Sequence, residues 1–424
     1  MTIGLFMLLF FIMILLNIPI VYCMFIPSLV FLYTNGIPLN VIPQRLIAGV
    51  DSFSLLAVPL FVLAGAVMNS SGITDRIFYF AQKMLGHLTG GLGYANVAAS
   101  VIFAGMSGSA IADAGGLGAV EVQAMKQHGY DEDFSLAVTG ASSIIGPIIP
   151  PSIPAIIFAV SAEVSVGRLF VAGVVPGLLM ACTMCFLVYM TCRKRNYVKD
   201  KKASAGEKWR AFKRAFFPLM TPVIILAGTF SGIFTPTETA SATVVYSLIL
   251  GFAYRSIGIR EIPGVLMDTA RTTVSVMTIV SASALFSWVL TYAKFPEVMA
   301  AAFTGFVTSK ALALIVINVL LLIVGTFMDN SAAIPILAPV LLPIAVSYGV
   351  DPIHFGIIMI LNLMIGLLTP PVGMVLYVLV GMSDVPMEKI VKCMLPFILI
   401  LSALLLVITF VPGISMTLPS LFFQ

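Results

Sequence analysis

Charged side chains are scarce in this sequence: 9% of its 424 residues are Asp, Glu, Lys or Arg, against 60% hydrophobic residues. With a mean hydropathy of +1.11, that balance excludes a soluble globular domain and reads as a polytopic membrane protein. Histidine is nearly missing, with only the scattered His87, His128 and His354. No HExxH, Walker A or GxSxG run occurs, so no zinc, nucleotide or hydrolase signature is spelled. Without an ATP site on the chain, any energy it uses must come from an ion gradient or another subunit. Five cysteines are present, and none suggests a disulfide framework. Cys182-Thr-Met-Cys185 has the C-x-x-C spelling but lies inside an apolar run, where free Cys packs as a small hydrophobe. No Lys or Arg precedes Arg45; the first apolar run lacks the basic start of a cleavable signal and reads as a retained helix, or two joined at Asn17-Ile18-Pro19.

Long apolar runs dominate the remainder, near 4–35, 52–70, 94–112, 134–161, 169–192, 215–233, 239–257, 269–293, 311–327, 332–349, 353–383 and 391–413. A spanning helix needs about 20 apolar residues, and several runs contain Gly or Pro and count as two pieces. No soluble domain fits between them, so extramembrane partners are expected to be separate chains. Ten of the 22 Lys+Arg lie in "RKRNYVKDKKASAGEKWRAFKR", 193–214. This longest polar segment is expected to be a cytoplasmic loop by the positive-inside rule.

The chain repeats itself once. "GPIIPP" at 146–151 aligns with "GLLTPP" at 366–371, an offset of 220, and Met106–Ala110 aligns with Met328–Ala332, an offset of 222. Upstream, 75–90 and 296–312 are short, mildly amphipathic segments suited to the membrane interface. Each half therefore reads as a spanning helix, an interfacial arm, a re-entrant hairpin with a small polar tip, and a helix broken at a double proline. In hydrocarbon an unwound backbone survives only where it is buried in protein or lines a cavity. Paired interrupted segments mark the binding site of a secondary transporter, with freed carbonyls for a small cation and half-helix N-termini for an anion. The expected fold is all-α, two inverted repeats in an elevator-type arrangement. The expected division is N-terminal scaffold helices 1–70, a first transport repeat 71–168, scaffold helices 169–293, a second transport repeat 294–390 and a C-terminal helix 391–424.

Three polar clusters interrupt the apolar background. "FAGMSGSAIADAGGLGAV" (103–120) is expected to turn near Ser107–Ser109, with Asp113 either functional or orienting the hairpin. "GTFMDNSAAIPILAPVLLPIA" (325–345) places Asp329 and Asn330 at the second tip, followed by a limb that Pro335, Pro339 and Pro343 are expected to distort. "GIFTPTETASATV" (232–244) starts a helix with Thr235 or Thr237 as N-cap and Glu238 in its first turn.

The stretches "AVTGASSIIGPIIPPSIP" (137–154), "GIFTPTETASATVVY" (232–246), 325–345 and "LLTPPVGMVLYV" (367–378) together resemble the large membrane subunit of tripartite ATP-independent periplasmic (TRAP) transporters, a branch of the ion-transporter superfamily. The resemblance implies Na⁺-driven import of an organic carboxylate across the bacterial inner membrane by an elevator motion. It implies two partners, a small four-helix membrane subunit and a periplasmic binding protein. It implies one Na⁺ site at Ser107, Ser109, Gly146 and Pro150, and a second at Gly325, Met328, Gly366 and Thr369. Substrate is implied near Ser109, Ser152, Asp329 and Asn330. Thr369 answers Ile149 in the other half, so the two ion sites are not expected to be equivalent. The wording is most similar to the sialic-acid branch, and the lack of an Arg at membrane depth near the site suits a substrate of one negative charge. The alternatives are a C4-dicarboxylate TRAP permease and a Na⁺/anion symporter needing no binding protein. A membrane enzyme would require a nucleophile–base or metal constellation that is not spelled, and a channel would need no arm pair.

Overall fold

The computed structural model describes residues 1–195, 197 and 200–423. Asn196, Val198 and Lys199 of the basic segment, and Gln424, lie outside the described residues. Among the described residues every regular element is helical. Seven helices are long and apolar enough to cross a bilayer, Phe53–Ser70 and Met387–Phe410 being the first and last, and the chain is a membrane protein. The N-terminal run divides into Ile3–Leu15 and Ile20–Thr34, with Asn17 left-handed (φ 58°) at the joint.

Element order makes the repeat plain. In the first half an arm helix, Ile73–Leu85, precedes a hairpin of Gly91–Ser107 and Ala110–Gly115, the latter continued past Gly116 by Leu117–Gln127. A broken helix follows, Glu132–Ser143 and Ile153–Ser161, and then Val166–Arg195. The second half runs through Phe295–Phe306, the hairpin Lys310–Phe327 and Asn330–Ser347, the broken helix Pro352–Gly366 and Met374–Gly381, and Met387–Phe410. Ala205–Phe230, Pro236–Ala253 and Ile262–Tyr292 join the halves. The first arm buries Ile73, Thr74, Ile77, Phe78 and Ala81, the i, i+4 stripe of an amphipathic helix.

The structure corrects the register of the repeat at the tips. Ser109 caps the second limb of one hairpin and Asp329 that of the other, a separation of 329 − 109 = 220 residues. The double prolines keep the same offset, and Pro150-Pro151 and Pro370-Pro371 are both cis. The offset of 222 came from matching residue names; the backbone matches Ser109 to Asp329 because either oxygen can cap a helix.

The broken helices form the centre. Every residue of Phe134–Ser143 and of Ile353–Gly366 is buried, including the polar Ser135, Thr139, Ser142, Ser143, His354 and Asn362. Each resumed half-helix packs on the other half's hairpin, Ile153–Ser161 on Asn330–Ser347 and Met374–Gly381 on Ala110–Gly115. Buried polar braces tie hairpin to broken helix within each half. Asn96 donates to Thr139 Oγ1 at 2.7 Å and accepts from Ser142 Oγ at 2.7 Å. Asn362 donates to Asn318 Oδ1 at 2.7 Å. Ser142 and Asn362 are again 220 positions apart, and the pairing satisfies the buried amide and hydroxyl donors, while Asn362 Oδ1 is left without a donor among the described residues.

Two further expectations are corrected. The basic segment 193–214 is not a plain loop: Val166–Arg195 runs into it, and Ala205–Phe230 starts within it on a Ser204–Glu207 capping box. Lys and Arg side chains tolerate helix ends that project past an apolar run. The limb carrying Pro335, Pro339 and Pro343 is one helix over Asn330–Ser347. Prolines four apart lose their backbone bonds along a single stripe, so the rest of the ladder persists.

Candidate functional site

At the first tip, helix Gly91–Ser107 ends because Gly108 turns left-handed (φ +62°). A Cβ there would stand 2.6 Å from the Pro151 carbonyl oxygen, so glycine lets the tip rest on the proline break. Ser109 then caps the return limb, accepting from Ala112 N at 3.4 Å. Behind it Ser107 Oγ donates to Asp113 Oδ1 and accepts from Ser109 N at 3.3 Å. The other oxygen of Asp113 faces Gly146.

The second tip is built differently to the same end. Met328 is extended (φ −121°, ψ 141°), and Asp329 caps the return limb by accepting from Ser331 N at 2.9 Å. The break is held to the tip by Gly373 N donating to Thr326 O at 3.0 Å. Gly325 and Gly366 pack backbone on backbone, a Cβ on Gly325 lying 3.3 Å from Gly366 Cα.

Both tips face one cavity of about 550 Å³, within the range of roughly 300–1,000 Å³ for small-molecule sites. Ser107, Ser109, Asp329 and Asn330 line it, so four of the residues singled out from sequence meet there. Asn330 Oδ1 is buried without a hydrogen-bond donor in the described residues. Ser152 does not reach the cavity: its buried hydroxyl donates to the Pro147 carbonyl and accepts from Ala155 N at 3.1 Å, capping Ile153–Ser161. Its neighbours Ile153 and Pro154 line the wall instead.

Gly146 and Pro150 lie behind the first tip, and among the described residues no backbone donor reaches either carbonyl. Gly325, Met328, Gly366 and Thr369 lie behind the second. Gly366 O accepts from Thr369 N at 2.9 Å and Thr369 Oγ1 donates to Ile365 O at 2.8 Å, while no backbone donor reaches Gly325 O or Thr369 O among the described residues. Among those residues no group of three or more His, Cys, Asp or Glu forms a metal-binding cluster. Any cation held here would rest on carbonyl and hydroxyl oxygens, a set suited to hard monovalent ions.

The opposite wall was missed in the sequence. Asn69 of Phe53–Ser70, and Asp268, Thr269 and Thr272 of Ile262–Tyr292, close the cavity. Their one signal is a polar residue within or beside runs 52–70 and 269–293. Asp268 lies 3.7 Å from Arg271. Asp268 and Asp329 are the charged lining residues, and no Lys, Arg or His lines the cavity among the described residues. The third cluster is a cap: Thr235 accepts from Glu238 N at 3.2 Å and Glu238 accepts from Thr235 N at 2.7 Å.

The family model described as "Tripartite ATP-independent periplasmic transporter, DctM component" matches residues 7–414. The chain is 43% identical over 408 residues to the sialic acid TRAP transporter large permease protein SiaM of Vibrio cholerae, covering 96% of each chain. It is 36% identical over 421 residues to the C4-dicarboxylate TRAP transporter large permease protein DctM of Rhodobacter capsulatus, again covering 96% of each. The solved YdaH transporter of Alcanivorax borkumensis shares the fold, with a TM-score of 0.66 at 14% identity over 90% of each chain. With paired hairpins and paired proline breaks around one cavity, and a family match across nearly its whole length, the chain belongs to the large membrane subunits, the DctM component, of the TRAP transporter family.

Proposed function

We propose that this chain is the large permease of a Na⁺-driven TRAP importer for sialic acid in a bacterial inner membrane. The observation that carries the reading is the cavity walled by both hairpin tips on one side and by Phe53–Ser70 and Ile262–Tyr292 on the other. In this reading 71–168 and 294–390 form a transport unit bearing the cavity's tip wall, and 1–70, 169–293 and 391–424 form a scaffold. The transport unit slides as an elevator, and the two halves are inverted repeats. Two Na⁺ ions bind behind the tips, one at Ser107, Ser109, Gly146 and Pro150, the other at Gly325, Met328, Gly366 and Thr369. No ATP is used. The word "tripartite" in the family description supports two further components, a small membrane subunit and a periplasmic binding protein. The segment 193–214 faces the cytoplasm by its positive charge.

Sialic acid is favoured by the lining. Ser109, Asn330, Ser331, Thr269 and Thr272 are uncharged hydrogen-bonding groups, matched to the hydroxyls and amide of a polyhydroxylated monoacid. A dicarboxylate would bring two negative charges to a wall that already holds Asp268 and Asp329. The SiaM likeness supports the same choice. The test is uptake of labelled N-acetylneuraminate by the reconstituted complex with excess unlabelled succinate. Uptake that succinate leaves unchanged is expected; succinate uptake in place of sialic acid uptake would assign the chain to the C4-dicarboxylate permeases.

A further inference from the structure

A second cavity, of about 640 Å³, shares no lining residue with the substrate cavity and is almost wholly apolar. One wall is the face of Gly91–Ser107 that carries Tyr94, Val97 and Val101. The other is the face of Val166–Arg195 that carries Leu178, Cys182, Cys185 and Tyr189. Each set follows the spacing of a single helical stripe. Leu85 and Leu88, at the end of the first arm, complete the lining. Beside the cavity the same two helices touch closely. A Cβ on Gly93 would stand 2.7 Å from Val188 Cγ1, and one on Gly90 would stand 2.9 Å from Cys192 Sγ. The gap is therefore built into the interface and is not general slack.

Val166–Arg195 is long and apolar enough to cross a bilayer, so the groove lies at membrane depth. Leu178 is 48% and Tyr189 42% exposed, which leaves it open on the lipid side. No charged residue lines it among the described residues. An unfilled apolar groove forfeits the dispersion contacts of its walls, and a hydrocarbon chain restores them. The end near Gly90 and Cys192 is different. Thr89, Tyr94 and Tyr189 supply hydroxyls there, and tyrosine is at home at the headgroup level. Arg193 follows one turn beyond Tyr189 on the same helix face and is exposed. Arg195 of the same last turn is spent on Asp131 at 2.7 Å and Asp133 at 3.4 Å. Arg193 forms no ion pair among the described residues.

We propose that this groove is a binding site for one anionic phospholipid from the leaflet on the side of segment 193–214. One acyl chain lies between the Val97–Val101 face and the Leu178–Cys185 face, and the phosphate sits at Arg193 among the hydroxyls of Thr89, Tyr94 and Tyr189. An apolar helix of a partner subunit would match the walls but would bring nothing for Arg193, whereas a phospholipid satisfies both ends. The site is independent of the substrate cavity and of the ion that drives transport.

The experiment is photolabelling of the chain, purified with its small membrane subunit in dodecyl maltoside, by a trace of phosphatidylglycerol carrying a diazirine midway along one acyl chain. Mass spectrometry reads the labelled peptides. Label is expected on 94–102 and 178–189. Unlabelled dioleoylphosphatidylglycerol is expected to displace it at about a fivefold lower concentration than dioleoylphosphatidylcholine, as one cation at a membrane surface implies. Arg193→Gln is expected to bring the two midpoints together while label stays on the same stretches. Cys182→Trp, which fills the groove, is expected to remove label from both stretches. If that variant does not fold, Arg193→Gln, at an exposed helix end, decides alone. Absence of label from both stretches in the wild type, or equal midpoints for the two lipids, overturns the proposal. Label that appears on the chain alone and vanishes with the small subunit present assigns the groove to that subunit and overturns it as well.

Discussion

The backbone of Gly366 lies directly on that of Gly325: a Cβ on Gly366 would stand 2.5 Å from the Gly325 carbonyl carbon and 2.6 Å from its Cα. Hairpin and broken helix of the second half therefore meet where Gly366 has no room for a side chain and Gly325 has little, with Leu363 backbone 3.1 Å from an added Cβ. Gly366→Ala must push the two apart, and overpacking of this kind costs about 1–3 kcal/mol. The melting temperature of the complex is expected to fall for Gly366→Ala and further for Gly366→Val. Gly206→Ala, at a helical position with nothing within 4 Å of an added Cβ, should not lower it.

Ser109 and Asp329 carry two duties, capping a limb and facing the cavity. Ala at either position removes both and costs about 0.5–2 kcal/mol from the lost cap alone. Asp329→Asn separates them, because Asn caps as well as Asp. Ser109→Ala and Asp329→Ala are expected to abolish uptake while still inserting, and Asp329→Asn to keep wild-type melting with uptake at least about tenfold lower. Normal uptake in all three would remove the cavity from the transport path.

Thr369→Ala deletes a hydroxyl at the second break, 2.8 Å from Ile365 O. On the proposed Na⁺ coupling the Na⁺ concentration for half-maximal uptake should rise, since that hydroxyl would no longer brace the helix end at Ile365 O or be available to an ion. An unchanged Na⁺ dependence would take Thr369 out of the second site.

At the far end of Val166–Arg195, Arg195 bridges Asp131 at 2.7 Å and Asp133 at 3.4 Å, and Tyr197 Oη donates to Asp131 at 2.6 Å. The Tyr197 hydroxyl, and after it the Arg195 guanidinium, hold the Asp131 carboxyl below its ordinary value of 3.8. A depressed value in the folded state means the contribution is present above the ordinary carboxylate range and is lost as pH falls through the depressed one. The melting difference between wild type and Asp131→Asn should therefore be level from neutral pH down to about 4 and shrink below it. The pair is exposed, so the difference is worth at most about 1 kcal/mol.

Much of this arrangement was legible in the residues. Gly108 between Ser107 and Ser109 reads as a turn between limbs and is one, and the two double prolines in apolar helices read as breaks and are breaks. Residue names misled where different side chains do one backbone job, as with Ser109 and Asp329. Ser152, implied beside the substrate by the resemblance alone, instead spends its hydroxyl on capping Ile153–Ser161. The far wall was illegible for another reason: Asn69 and Thr272 are single polar residues on long apolar helices. Nothing in the residue pattern of such a helix marks the face that meets the cavity.

The most direct test is uptake of labelled N-acetylneuraminate into proteoliposomes holding this chain and its small-subunit partner, under an inward Na⁺ gradient, with and without the cognate binding protein. A three-component Na⁺ importer takes up substrate only when the binding protein and the gradient are both present. Uptake of equal rate without the binding protein, or without Na⁺, would make the chain a simpler carrier, and the tripartite, Na⁺-coupled mechanism would not stand.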